Sequence, residues 1–197
     1  YKYFDFTKNQ GEIILDAFLN GRGEIKIYFD DDIIEKGAFF GCTGLTTVNL
    51  PEGLTSIVGQ AFYFCTALKN INIPNTVKSI GFQAFAECRA LESIELPSGI
   101  ETIDAQAFLF CTNLSKVTCY NAEPIDISEK YIFVNIAGNA ILYVPAASLD
   151  DYNADANWQA SFSEILPIGM VELVDGQQYT NDEDQDVPMV RYTRTFS

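Results

Sequence analysis

The 197-residue chain contains no histidine. That removes Ser-His-Asp and Cys-His nucleophile arrangements. It also leaves only thiolates and carboxylates as strong metal ligands. Basic residues are scarce: 12 Lys and Arg stand against 27 Asp and Glu, for a net charge of −15. Such a chain cannot neutralise a phosphate backbone, which argues against nucleic acid as a partner, and it is disfavoured on anionic membranes. No run approaches the ~20 apolar residues of a membrane span, so direct insertion in a bilayer is not expected. The chain begins at Tyr1 and contains no signal-peptide pattern, and it is expected to be a processed or excised piece. The five cysteines are an odd number with no C-x-x-C pair, against a closed disulfide framework.

What is present is a period. "AFFGCTGL" at 38–45 returns as "AFYFCTAL" at 61–68, "AFAECRAL" at 84–91 and "AFLFCTNL" at 107–114, always 23 residues on. Phe39, Phe62, Phe85 and Phe108 form one column, Cys42, Cys65, Cys88 and Cys111 a second, and Leu45, Leu68, Leu91 and Leu114 a third. Each copy continues into an alternating stretch, "TVNLP", "NINIP", "SIELP" or "KVTCY". Alternation is strand chemistry, and proline closes the strand because it cannot donate to a ladder. Fixed self-similarity at this length marks a solenoid, and 23 residues fit one β-containing coil better than a helix pair. A single coil buries too little to fold alone, so the coils are expected to stack and share faces. The cysteine ladder then reads as small buried hydrophobes. A metal, redox or disulfide role is the alternative, weakened because a ladder spreads the thiols along an axis.

At these residues the chain resembles the BspA-like leucine-rich repeats of bacterial, Bacteroides-type surface proteins, whose pattern is roughly A-F-x-x-C-x-x-L-x-x-I-x-L-P. The resemblance implies a right-handed, curved, β-rich solenoid with a parallel concave sheet and a small C-terminal α/β cap. It implies a secreted or cell-surface location and binding to host or matrix proteins, and no catalytic residue or cofactor. The organisation expected is a solenoid over 1–120, with degenerate coils at 1–37 and four regular repeats at 38–120. A capping unit follows at 121–169, and a strand pair at 170–197 opens a further β module. Upstream, Ile25 and Ile27 align with Val48 and Leu50, and Ile34 with Ile57. Ala17-Phe18 lies two residues out of register. After Tyr120 the repeat fails, although "AILYVP" at 140–145 restores one strand. "SLDDYNADANW" at 148–158 reads as a short helix with a Ser148–Asp151 capping box and an apolar face of Leu149, Tyr152 and Ala156.

Three sets of residues are candidates for function. By alternation, Lys26, Thr47, Asn49, Asn70, Asn72, Ser93, Glu95, Lys116 and Thr118 face outward on the concave sheet. They suit hydrogen-bonding recognition of a protein or glycan, or simply a soluble face. Phe40, Tyr63, Phe64, Leu109 and Phe110 lie between the Phe and Cys columns, interrupted by Glu87. They form an apolar interface, or they pack beneath flanking loops or the tail. Asp182, Asp184 and Asp186 make a D-x-D-x-D run without the glycine and glutamate of a calcium loop, so a solvated acidic turn competes with calcium binding. "DDD" at 30–32 is read in the same way. A carboxylate glycosidase is compatible with the composition, but no two carboxylates fall in matched inward columns. The expectation is a non-enzymatic binding module, or else a spacer beside an enzymatic or glycan-binding domain.

Overall fold

The computed structural model describes residues 24–26, 33–34, 36–128, 130–174 and 190–193. Its main sheet is built from β1 (Glu24–Lys26), β3 (Thr47–Asn49) and β5 (Asn70–Asn72), then β7 (Ser93–Leu96), β9 (Lys116–Cys119), β10 (Ile141–Val144) and β11 (Glu164–Pro167). The two runs abut between β5 and β7 without ladder pairing. A second sheet carries β2 (Ile33–Ile34), β4 (Ser56–Ile57), β6 (Ser79–Ile80) and β8 (Thr102–Ile103). Every pairing is parallel, and through the repeats each residue faces its counterpart one coil on: Thr47 opposite Asn70, Ser93 opposite Lys116, Ser56 opposite Ser79. The chain is a β solenoid whose coil length is the sequence period. Ile25 pairs with Val48 and Ile34 with Ile57, as the alignment of the upstream segment required.

A third ladder runs through the turns that carry the Ala-Phe motif. Two residues per coil are left-handed: Gly37 and Gly41 in the first, then Gln60 and Phe64, Gln83 and Glu87, Gln106 and Phe110, Tyr131 and Asn135. Most side chains enter this region at a cost of about 1–2 kcal/mol. The geometry persists because their amides are satisfied by the next coil: Gln60 N–H donates to Phe82 O (2.8 Å) and Phe64 N–H to Ala86 O (2.9 Å). The Gln60 and Gln83 side chains continue the ladder, Nε2 of each donating to Oε1 of the next glutamine at 3.0 and 2.7 Å. Close approach is fixed at one corner, where a Cβ on Gly81 would lie 2.5 Å from the Gly59 nitrogen.

The interior holds the invariant columns. Phe39, Phe62, Phe85 and Phe108 stack in sequence with centroids 5.0–5.3 Å apart and planes within 6°. The column extends past Tyr120: Phe133 stacks on Phe108 at 5.5 Å. Its coil is disguised by sequence, with Ile132, Ile136 and Ala140 standing for Ala, Cys and Leu. The interval also lengthens to 25 residues, since Lys116 pairs with Ile141. Trp158 and Phe162 then close the stack on Phe133 at tilted angles.

The cap differs from its expectation. Residues 148–158 are not one helix. A 3-10 turn at Ala146–Ser148 leads into α1 (Leu149–Ala154), and α2 (Ala156–Ser161) follows after a break at Asp155. Ser148 makes no side-chain cap bond, because it lies inside the preceding turn with near-helical dihedrals. Asp155 is the effective cap: its carboxylate accepts from the amides of Asn157 and Trp158. Tyr152 is buried and Leu149 packs partly against the core, while Ala156 is exposed. The Trp158 indole N–H donates to Ile125 O at 2.8 Å, fastening the 121–128 segment under the cap. Farther on, β12 (Val171–Val174) and β13 (Val190–Thr193) pair in parallel. No helix among the described residues is long and apolar enough to cross a membrane.

Candidate functional site

The outward face of the main sheet has two columns of side chains. Asn70, Ser93 and Lys116 are exposed in the first, and Asn72 and Glu95 in the second; Thr47 and Asn49 are half-buried. Lys26 lies on β1 in register with Asn49. Thr118 departs from the expected outward set. It is only 4% exposed, because it is held between the longer side chains of its register partners Glu95 and Tyr143. Toward the cap the face turns less polar, with half-buried Ile141, Tyr143 and Leu166. There the Lys116 ammonium sits 5.1 Å from the Tyr143 ring centre, a cation–π contact.

Beside this face an open groove of about 550 Å³ runs along the ends of the strands. Its floor is Ile73, Pro74 and Pro97, and its walls carry Glu52, Asn72, Asn75, Glu95 and Tyr120. The Tyr120 hydroxyl donates to Glu95 Oε2 at 3.4 Å. Partial burial, and then the neighbouring carboxylate, raises the phenol above its ordinary value, so it stays neutral. Sequence alternation found Asn72 and Glu95 but missed Tyr120, Glu52 and Asn75. The signal for Tyr120 was a broken column: it stands where the earlier coils have Pro51, Pro74 and Pro97.

On the turn side, Phe40 is 56% exposed, Phe64 40% and Phe110 39%, with Tyr63 and Leu109 half-buried. Phe40 and Tyr63 stack at 5.0 Å, and Tyr63 and Phe64 lie 6.3 Å apart. Phe82, which the sequence reading did not single out, is exposed as well.

The four cysteines of the ladder are free thiols; three are buried and Cys42 is half-buried. Cys65, Cys88 and Cys111 donate Sγ–H to the carbonyl oxygens of Phe39, Phe62 and Phe85 in the preceding coil, at 3.0, 3.2 and 3.1 Å. Burial pushes all of them up, Cys111 to about 12. The fifth, Cys119, is buried against the Tyr152 hydroxyl at 3.2 Å. These are protonated structural donors, not thiolate nucleophiles. Among the described residues no cluster of three or more Cys, Asp or Glu could hold a metal. Asp182, Asp184, Asp186 and the run at 30–32 lie outside the described residues, as does Ala17-Phe18.

Stacked parallel coils with an Ala-Phe-Cys-Leu interior and one polar sheet face define a leucine-rich-repeat solenoid. The chain belongs to the BspA-type leucine-rich repeat family, whose model matches six copies over residues 24–146. It is similar in fold to a leucine-rich cell-surface protein from Faecalibacterium prausnitzii, with a TM-score of 0.51 and 24% identity over 75% of this chain. A leucine-rich-repeat protein from Bacteroides ovatus aligns at a TM-score of 0.39 and 21% identity over 76% of this chain. The matched regions are 32% and 48% of those two proteins. A search among curated proteins gave no match.

Proposed function

We propose that this chain is a non-enzymatic binding module of a bacterial cell-surface or secreted protein, and that the outward face of its main sheet is the recognition surface. The observation that carries this reading is the set of exposed Asn70 and Asn72 on β5 and Ser93 and Glu95 on β7, each strand held in parallel register with its other neighbour, where the two sheet runs abut and open onto a groove. Rigid spacing lets short polar side chains bind without a large ordering cost. The ligand is a host or matrix protein or a glycan. Cys65, Cys88 and Cys111, buried and engaged with backbone carbonyls, are poorly placed to act as nucleophiles.

The test is capture of matrix proteins and glycans by the chain carrying Asn49→Ala, Asn72→Ala and Glu95→Ala, singly and together. Loss of capture with an unchanged melting temperature supports the reading; undiminished capture by the triple variant removes the sheet as the binding face. A second reading makes the chain a spacer or docking module for a neighbouring domain, with the exposed Phe40, Phe64 and Phe110 as the contact. Under it, the sheet variants bind normally while Phe40→Ser and Phe110→Ser weaken association with the adjoining domain.

A further inference from the structure

The groove at the strand ends carries negative charge. Glu52 and Glu95 both line it, and among the described residues no cationic side chain does. Among the described residues the ion pairs are Lys78 with Glu101 and Arg89 with Glu87, neither of them in the groove. Lys116 is turned onto Tyr143, and the Lys130 ammonium donates to Asp126 O. Two carboxylates lining one open cleft offer acceptors only. A ligand that brings positive charge and donors complements them.

The groove has a second feature suited to the same ligand. Tyr120 is 39% exposed, and its hydroxyl is tied to the carboxylate of Glu95 at 3.4 Å. Ring and carboxylate thus lie side by side. A guanidinium placed there stacks on the phenol face and pairs with the carboxylate edge, the two contacts that planar Arg makes together. Glu52 and Glu95 stand two coils apart, about 10 Å along the stack at ~4.8 Å per coil. An extended peptide rises ~3.3 Å per residue with alternate side chains on one face, so basic residues two to four positions apart reach both. The proline floor is apolar, and Asn72 and Asn75 supply amides for a peptide backbone.

Resting on the reading of this chain as a binding module, we infer that the groove of Glu52, Asn72, Asn75, Glu95 and Tyr120 docks an extended, arginine-bearing peptide segment of a partner protein. The experiment uses the 197-residue chain and a fluorescent undecapeptide with three arginines spaced by Gly-Ser residues. Its counterpart replaces arginine by citrulline, a neutral isostere, and a panel of neutral oligosaccharides runs in parallel. The arginine peptide binds, citrulline weakens it about tenfold or more, and Glu52→Gln with Glu95→Gln does the same. Tyr120→Ala costs several-fold. Glu92→Gln with Asp104→Asn, which removes two charges outside the groove, changes affinity less than about twofold.

Equal weakening by the outside pair overturns the proposal in favour of diffuse electrostatics. Equal binding of the citrulline peptide overturns it, and so does capture of a neutral oligosaccharide that depends on Glu52 and Glu95. If the arginine peptide fails to bind while the Asn49, Asn72 and Glu95 variants still abolish matrix-protein capture, the groove assignment is wrong and the binding-module reading stands. If those variants leave capture intact, the broader reading falls first.

Discussion

Cys65, Cys88 and Cys111 each do two jobs that no aliphatic residue of their size can do together. Each fills a small interior space, and its thiol supplies a second donor to a phenylalanine carbonyl that already accepts from its own coil: Phe62 O takes Cys65 N–H at 3.1 Å and Cys88 Sγ–H at 3.2 Å. Thiol labelling checks this directly. In the folded protein Cys42 reacts first with iodoacetamide, and Cys65, Cys88, Cys111 and Cys119 react only after unfolding. Burial raises these thiols above the 9.0 they have when free, so the unfolded chain loses its protons first as pH climbs. The thiols' contribution to stability is therefore constant below about pH 9 and falls above it, each buried thiol contributing up to ~1.4 kcal/mol per pH unit. For Cys111 the fall continues to about pH 12. Urea midpoints between pH 7 and 11 test the sign. The cysteine column was legible in the sequence because the residue never varies. The partner was not, since a backbone carbonyl one coil away leaves no trace in residue identity. The glutamine ladder was written at Gln60, Gln83 and Gln106, yet its left-handed backbone is not what glutamine alone suggests.

At the scale of one coil, the Phe column and the aromatic turn residues separate sharply by burial. Phe85→Ala opens a cavity between two stacked rings and is expected to cost about 3–5 kcal/mol. Phe40→Ala, at an exposed position, is expected to cost under about 0.5 kcal/mol. Chemical denaturation of the two variants checks the pair. The cap gives a similar contrast: Asp155→Ala loses the bonds to Asn157 and Trp158 and about 1 kcal/mol, while Ser148→Ala costs little, because that hydroxyl caps nothing. Regular coils were readable because alternation, proline and period all agree. The coil around Phe133 was not, because Ile132 and Ile136 replace the signature residues and the spacing slips. The capping box failed for a local reason: a Ser-x-x-Asp match carries no information on whether serine enters the helix from extended backbone or from an existing turn.

Over the whole molecule, stacking turns a one-dimensional pattern into a surface. The sheet face is legible from alternation alone for Asn70, Asn72, Ser93 and Glu95. Thr118 shows the limit, because exposure depends on the side chains to either side and not on its own parity. The groove depends on four coils at once, from Glu52 through Asn72 and Glu95 to Tyr120, and no single repeat contains it. The net charge of −15 lies mostly beyond the repeats, so the local pairing of groove carboxylates and Tyr120, more than the total, is what sets the partner expected there.

All of this rests on coils stacking in 23-residue register with the phenylalanines queued inside. A NOESY spectrum of the chain with selectively labelled phenylalanine rings tests it most directly. Ring centres 5.3 Å apart in the pairs Phe62–Phe85 and Phe85–Phe108 predict strong cross-peaks within each pair and none between Phe62 and Phe108. Rings that show no contact at the 23-residue interval, or that contact each other at other intervals, would contradict the account.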